Sequence, residues 1–267
     1  MRLFALLALC LALPAAAQES RLRSLQTSDD GRGWSAVGRI DLGTGGFCTG
    51  TLIADDLVLT AAHCLFNRET KAPIDPATIR FLAGWRNGRA EAYRGVTRAL
   101  AHPDYAYGEA DPLLRVGFDI ALLRLDQPIR LPSIIPFAIG IEPGVGGEVG
   151  IVSYAKDRSE APSLQEVCHV MGGRSDLLVL TCSVDFGASG APVLALRDGV
   201  MRIVSVVSAK AEVDGKPVAL AVPLEIPLNR LRDEMSAGVR PPLTGVRVLS
   251  GGGQGGAKFI RAEPATP

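Results

Sequence analysis

A serine between two glycines, Ser189, is the residue of this sequence whose setting points most directly to chemistry. It lies in the run GASGAP, between two strand-like stretches of apolar residues. A serine hydroxyl is a weak nucleophile and becomes reactive when a neighbouring base removes its proton. The turn therefore predicts a nucleophile if a histidine elsewhere in the chain can reach it.

The sequence has three histidines that could be that base. His63 ends the strand-like stretch LVLTAAHC and precedes a cysteine. His102 lies in the turn-like run AHPDY, and His169 lies within a strand-like stretch beside another cysteine. The residues around His63 make it the favoured base.

A catalytic histidine needs a third group that fixes its tautomer and stabilises the imidazolium. Asp119 opens the apolar stretch DIALLRL, where a carboxylate would be buried and would need a partner. Asp104, Asp111 and Asp126 are alternatives, but they lie in turn-like surroundings. We therefore expect Asp119 to pair with His63.

The motifs LTAAHC, DIALLRL and GASGAP occur in this order, and together they resemble the chymotrypsin-like (trypsin-like) serine peptidase family, in its bacterial exported form. The resemblance covers about residues 34–237, and it departs from the family pattern at Ala188 and Ala191. The order histidine, aspartate, serine separates this family from the α/β-hydrolases, whose order is serine, aspartate, histidine.

The resemblance implies an all-β fold of two six-stranded antiparallel β-barrels with the active site in the cleft between them. His63 and Asp119 would come from the first barrel and Ser189 from the second. His63 would take the proton from Ser189 Oγ and pass it to the leaving amine. The backbone N–H groups of Gly187 and Ser189 would form the oxyanion hole.

The elements that must position these residues are short apolar runs separated by Gly, Pro, Asp and Asn, a pattern typical of β-barrels and sandwiches. The expected organisation is a signal peptide (1–17), a polar leader arm (18–33), a peptidase domain (34–238) and a flexible Gly-rich tail (239–267). Within the domain we expect barrel one at about 34–130, barrel two at about 146–225 and a helix at about 226–238.

The N-terminus has the pattern of a secretory signal peptide. A basic Arg2 precedes the apolar run 3–13, which is too short to span a bilayer, and small residues lead to a cleavage site near Ala17. The sequence therefore predicts a periplasmic or secreted protein.

Cleavage there would remove Cys10 and leave four cysteines. An even number in an exported chain predicts two disulfides, whereas the spacing lacks the short repeats of a structural zinc site. The family resemblance implies a Cys48–Cys64 bridge, which leaves Cys168 to pair with Cys182.

Composition bounds the partners. The formal net charge is zero, which gives no reason to expect nucleic acid or an anionic membrane. We expect protein or peptide substrates, no cofactor and no metal; the oligomeric state is not readable from the sequence.

The specificity pocket is predicted from the resemblance alone. Its floor would be Ser183, and its walls would include Ser205, Val207 and Val218, so that two facing valines favour a small aliphatic P1 residue. In a rival interpretation Asp185 lies in the pocket and favours Arg or Lys at P1. A glutamyl-endopeptidase type, which would cleave after Glu, is the third alternative.

Ala188 bears on activation. Digestive-type members of the family have an aspartate there, which pairs with a newly released N-terminal amine, and alanine has no charge for that pairing. We therefore expect a protein that is competent after signal removal, with trimming of residues 18–33 optional.

The alternative function is a catalytically inactive homologue that acts as a binding module. A protease-chaperone would need a further peptide-binding domain, for which there is no room after residue 238.

Overall fold

The computed structural model describes residues 19–43 and 45–237. The predicted signal peptide, the Gly-rich tail and Gly238 at the end of the predicted helix lie outside the described residues.

Six strands of the first half form a closed antiparallel barrel. In chain order the strands of this half are β1 (Arg23–Ser24), β2 (Val37–Asp41), β3 (Phe47–Ala54), β4 (Leu57–Thr60), β5 (Arg80–Ala83), β6 (Ala92–Ala101) and β7 (Ala121–Leu125). The barrel order is β2-β3-β4-β7-β6-β5, and β1 lies outside it.

The second half forms an eight-stranded sheet that includes β1 from the N-terminus. Its other strands are β8 (Ala138–Ile139), β9 (Glu148–Ala155), β10 (Arg158–Arg174), β11 (Leu177–Leu180), β12 (Pro192–Arg197), β13 (Val200–Val213) and β14 (Lys216–Pro223). Because β10 pairs with both β9 and β11, strands β9 to β14 close into a second ring, while β1 adds to β10 and β8 adds to β13.

The strands next to the site are apolar on both faces. All four residues of β4 are buried, as are four of the five residues of β7. One face of these strands fills the first barrel, where Val58 and Leu123 lie, and the other face packs Leu59 and Leu122 against residues of the second barrel such as Val206. This explains why these stretches are continuous apolar runs instead of alternating ones.

Two helices complete the fold. α1 (Pro112–Gly117) was not predicted, although Asp111 has the features of its N-cap and accepts hydrogen bonds from the backbone of the first turn. α2 (Pro227–Ala237) lies where the C-terminal helix was predicted and buries Leu228, Leu231 and Met235. The all-β prediction with a short C-terminal helix is confirmed.

The stretch expected to be a polar leader arm is packed in the structure. Strand β1 pairs with β10, and Leu25 next to it is completely buried. Arg23 and Ser24 are therefore part of the second sheet, and the backbone N–H groups of Ser20 and Leu25 also donate to carbonyls of β10. Within residues 19–43 and 45–237, neither helix has the length and apolar character needed to cross a bilayer.

Candidate active site

His63 lies just beyond the end of β4, in a short 3-10 helix (Ala62–Leu65). The next residue, Cys64, forms a disulfide with Cys48 on β3. The histidine is therefore held between a buried strand and a covalent crosslink, and its side chain is 23% exposed.

Asp119 binds His63 through both oxygens of its carboxylate. Oδ1 accepts the backbone N–H of His63 at 2.8 Å, and Oδ2 lies 2.6 Å from His63 Nδ1. Since a carboxylate only accepts hydrogen bonds, this contact assigns the hydrogen to Nδ1 and leaves the lone pair on Nε2. Asp119 is 3% exposed, so the pair lies largely out of water.

The three rival aspartates have other roles. Asp104 forms an ion pair of 2.7 Å with Arg230, and Asp111 caps α1. Asp126 lies next to Gly95, whose carbonyl accepts its backbone N–H. In the described part of the chain, Asp119 is thus the carboxylate that holds His63.

The turn around Ser189 uses two glycines in the left-handed region. Gly187 has φ +99° and Gly190 has φ +81°, and a Cβ on Gly190 would collide with the Thr49 carbonyl and the Thr60 hydroxyl. Both positions therefore require glycine. This accounts for the Gly-x-Ser-Gly pattern at the level of the backbone.

Thr49, a buried residue of β3, connects the first barrel to this turn. Its hydroxyl donates to the Gly187 carbonyl at 2.8 Å and accepts the backbone N–H of Tyr154 at 3.1 Å. Its own backbone N–H donates to the Ser189 carbonyl at 2.9 Å. Sequence reasoning missed Thr49, because a threonine in an apolar strand carries no signal of a partner 138 residues away.

Ser189 and His63 line one cleft of about 370 Å³. Its wall also includes Val184, Val207 and Ser208. The structure thus brings the predicted serine and histidine to the same cleft, with Asp119 behind the histidine.

Ser208, not Ser205, is the serine of β13 that reaches Asp119. The Ser208 hydroxyl donates to Asp119 Oδ2 at 2.5 Å. The Ser205 hydroxyl is buried and donates to the Val222 carbonyl at 2.8 Å. Contrary to the prediction, Ser205 therefore lies away from the cleft that Ser208 lines, and a β-bulge between Val207 and Ala209 lies at this point.

The predicted pair of facing valines is also wrong. Val207 lines the cleft, but its partner on β14 is Ala221, whereas Val218 pairs with Ala211 near the far end of the hairpin. Ser183, the predicted pocket floor, is an exposed residue whose backbone N–H donates to Gln165 Oε1 at 2.8 Å.

Asp185 is already paired. Its carboxylate lies 2.7 Å from Lys210 Nζ and accepts the Phe186 backbone N–H at 2.8 Å. The hydrogen bond from Lys210 lowers the pKa of Asp185 below its usual value. Lys210 also lies 4.3 Å from the centre of the Phe186 ring.

The structure contains disulfides between Cys48 and Cys64 and between Cys168 and Cys182. Within the described residues, the one group of potential metal ligands is Cys48, His63 and Cys64. Its two sulfurs are bonded to each other and so are not thiolate ligands for a metal.

Comparisons with known proteins extend these observations. A family model described as Trypsin matches residues 26–225. Human chymotrypsin-like elastase family member 1 is 35% identical over 96 residues, which cover 34% of this chain and 33% of that protein. Serine protease 23 of Mus musculus is 30% identical over 174 residues, which cover 58% of this chain and 44% of that protein. The chain thus spans between a third and just under half of these curated relatives.

A solved structure of a Glu endopeptidase in complex with MPD superimposes with a TM-score of 0.66. It covers 83% of this chain and 98% of that chain at 17% identity, a likeness that shows the shared fold.

Proposed function

This chain belongs to the trypsin family, and on that premise we propose that it is a serine endopeptidase with Ser189 as nucleophile, His63 as base and Asp119 as its partner. The observation that carries the proposal is the double hydrogen bond between Asp119 and His63, at 2.8 and 2.6 Å, beside a cleft shared with Ser189.

The mechanism starts at His63. With its hydrogen on Nδ1, its Nε2 takes the proton from Ser189 Oγ as that oxygen bonds to the scissile carbonyl carbon. The C–N bond then breaks, the imidazolium gives its proton to the leaving amine, and an acyl-enzyme remains. Water attacks the ester with the same base and releases the acid. The buried Asp119 stabilises the imidazolium both when the acyl-enzyme forms and when water hydrolyses it.

The oxyanion hole is formed, in this proposal, by the backbone N–H groups of Gly187 and Ser189. Thr49 supports it, because its hydrogen bonds to the Gly187 and Ser189 carbonyls fix the 187–188 and 189–190 peptides, between which lies the peptide that carries the Ser189 N–H. One such N–H donor is worth about 3–4 kcal/mol of transition-state stabilisation in this chemistry.

A small apolar P1 residue fits the cleft best. Val184 and Val207 narrow it, and the Asp185 carboxylate is already engaged by Lys210. Arg or Lys at P1 would have to compete with Lys210 for that carboxylate. The shared fold with a Glu endopeptidase raises Glu as a second candidate. Two cations that could attract a Glu side chain, Arg68 and Lys210, line the described cleft, but the lysine already pairs with Asp185.

Export and activation complete the proposal. Two disulfides suit an oxidising compartment, so we place the protein in the periplasm or outside the cell. Ala188 is completely buried and carries no charge, so an N-terminal amine has no carboxylate to pair with at this position. Activation would then require no ion pair there.

The decisive test is covalent labelling followed by kinetics. A fluorophosphonate probe should label Ser189 in the wild-type protein but not in Ser189→Ala. His63→Ala should reduce kcat by about 10⁶-fold and Asp119→Asn by about 10⁴-fold, with unchanged circular dichroism spectra. A folded wild-type protein that neither reacts with the probe nor cleaves a peptide library would favour the inactive binding module instead.

A further inference from the structure

A buried glutamine, Gln165, connects the N-terminal arm to the segment that leads to Ser189. The arm, residues 19–25, precedes the region that the resemblance covers. We propose that the hydrogen bonds that join Ser20, Gln165 and Ser183, here called the glutamine bridge, position the cleft wall. Through this bridge the arm holds the wall in its active shape.

The arm is fixed by three sets of contacts. The backbone N–H of Ser20 donates to the Val167 carbonyl at 2.9 Å, and the Val167 N–H donates to Ser20 Oγ at 2.8 Å. Strand β1 then pairs with β10, and Leu25 enters the core. These contacts bring the Ser20 carbonyl to a defined place on β10.

Gln165 uses both ends of its amide. Its Nε2 donates to the Ser20 carbonyl at 3.1 Å, and its Oε1 accepts the Ser183 backbone N–H at 2.8 Å. Because a carbonyl only accepts and a backbone N–H only donates, a single orientation of the amide satisfies both partners. Gln165 is 2% exposed, so the protein encloses its amide while the arm is in place.

Ser183 begins the segment whose next residues line the cleft. Cys182, just before it, is tied to Cys168 on β10, and Val184 to Phe186, just after it, form one side of the cleft beside Ser189. The position of the Ser183 peptide therefore sets where the wall starts. Removing Ser20 would take away the protein partner of the Gln165 NH₂ group, which favours a rearranged amide and a released Ser183.

This inference gives the arm a role in the site, in contrast to the expectation that trimming of residues 18–33 is optional. Loss of residues up to Ser20 removes the carbonyl that Gln165 requires, even though β1 and Leu25 remain. The kinetic part of the test rests on the proposed peptidase function; the structural part does not.

The experiment compares a protein that begins at Gln18 with one that begins at Leu22, together with Gln165→Leu and Gln165→Glu. The carboxylate introduced by Gln165→Glu retains the acceptor for Ser183 but loses the donor for Ser20. Arg23→Ala is the matched control, since its ion pair with Glu166 at 3.1 Å is exposed and lies outside the bridge.

Amide hydrogen exchange of peptides covering 181–190 is the first readout. We expect about tenfold faster exchange in the Leu22 protein and in Gln165→Leu, and no change in Arg23→Ala. In the active enzyme kcat should fall by about tenfold while KM changes by less than about threefold, because the loss of the bridge impairs the chemical step more than substrate binding. Combining truncation with Gln165→Leu should add nothing, as expected for two changes that break one connection.

Unchanged exchange and unchanged kcat in both the Leu22 protein and Gln165→Leu would overturn the inference, even if their melting temperatures fell. Should the wild-type protein show no peptidase activity, the proposed function fails, and the exchange rates alone decide the glutamine bridge.

Discussion

Thr49 shows how a single hydroxyl can support a site that it does not enter. It holds the Gly187 carbonyl from across the barrel interface, and its loss would leave that carbonyl and the Tyr154 N–H without partners in a buried place. An unsatisfied buried polar group costs about 1–3 kcal/mol. Its effect should therefore appear in both stability and turnover.

Thr49→Val should lower the free energy of unfolding by about 1–3 kcal/mol and reduce kcat by about tenfold or more, through the peptide next to the proposed oxyanion hole. Denaturant unfolding and steady-state kinetics measure the two effects. Thr51→Val is the matched control: this threonine lies on the same strand, is equally buried, and has a hydroxyl with no hydrogen-bond partner among the described residues. It should leave kcat unchanged. Equal effects in both variants would mean that Thr49 has no special relation to the turn.

The sequence allowed some residues of the candidate site to be predicted and not others. His63 and Asp119 were predicted because short local motifs surround them, and the structure joins them across 56 residues. Ser208 and Thr49 were not, because their contacts to Asp119 and Gly187 span 89 and 138 residues. A hydroxyl residue within an apolar strand has no local pattern that indicates such a partner.

Strand positions were predicted better than strand register. Apolar runs marked the stretch RIVSVVSAK as a strand, but a bulge between Val207 and Ala209 shifts its pairing with β14. A shift of one residue reverses which side chains face the cleft. Ser205 and Val218 were assigned to the pocket by the family resemblance, and a resemblance of short motifs does not reveal a bulge.

The register leads to a prediction about specificity. Val207 borders the cleft from the core of the second barrel, while its neighbour Val206 belongs to the cluster between the barrels. Val207→Ala should widen the cleft and shift cleavage in a P1-scanning peptide library from Ala or Val toward larger apolar residues. One methylene is worth about 1–3 kcal/mol in such a pocket, so the shift should be clear.

Val206→Ala is the control for that experiment, because it also truncates a buried valine but on the opposite face of β13. It should reduce stability and leave the P1 profile unchanged. Preferred wild-type cleavage after Arg or Lys would contradict the small-pocket proposal and favour Asp185, and cleavage after Glu would contradict both.

Contacts distant in sequence hold helix α2 against the first barrel and the loop that contains Asp104. Arg230 on α2 forms an ion pair with Asp104, and Arg98 of β6 donates to the Met235 carbonyl. The loop that contains Asp104 also contains His102, which is 3% exposed and stacks on Phe118 near the start of β7. Helix α2, at the C-terminal end of the domain, thus stabilises the loop that precedes Asp119.

His102 makes this junction sensitive to acid. Burial lowers the pKa of His102 below its ordinary value of 6.5; Asp104 and Glu234 oppose this shift and Arg230 adds to it. Its Nδ1 accepts the Asp104 backbone N–H at 3.2 Å, a bond that requires the neutral ring. The unfolded chain therefore binds a proton at higher pH than the folded protein does. Stability contributed by His102 is complete above its unfolded pKa and is lost as the pH falls below it.

We expect the free energy of unfolding to decrease from about pH 7 to about pH 5.5, and to decrease less in His102→Asn, whose side-chain oxygen retains an acceptor without a titrating group. Both proteins should carry Ser189→Ala, so that self-digestion does not distort the curves. Urea unfolding at a series of pH values gives the slopes, and the difference between the proteins at about pH 8, where the ring is neutral in both states, isolates the packing cost of the substitution. Parallel slopes over the acid range would show that protonation of His102 does not control this junction.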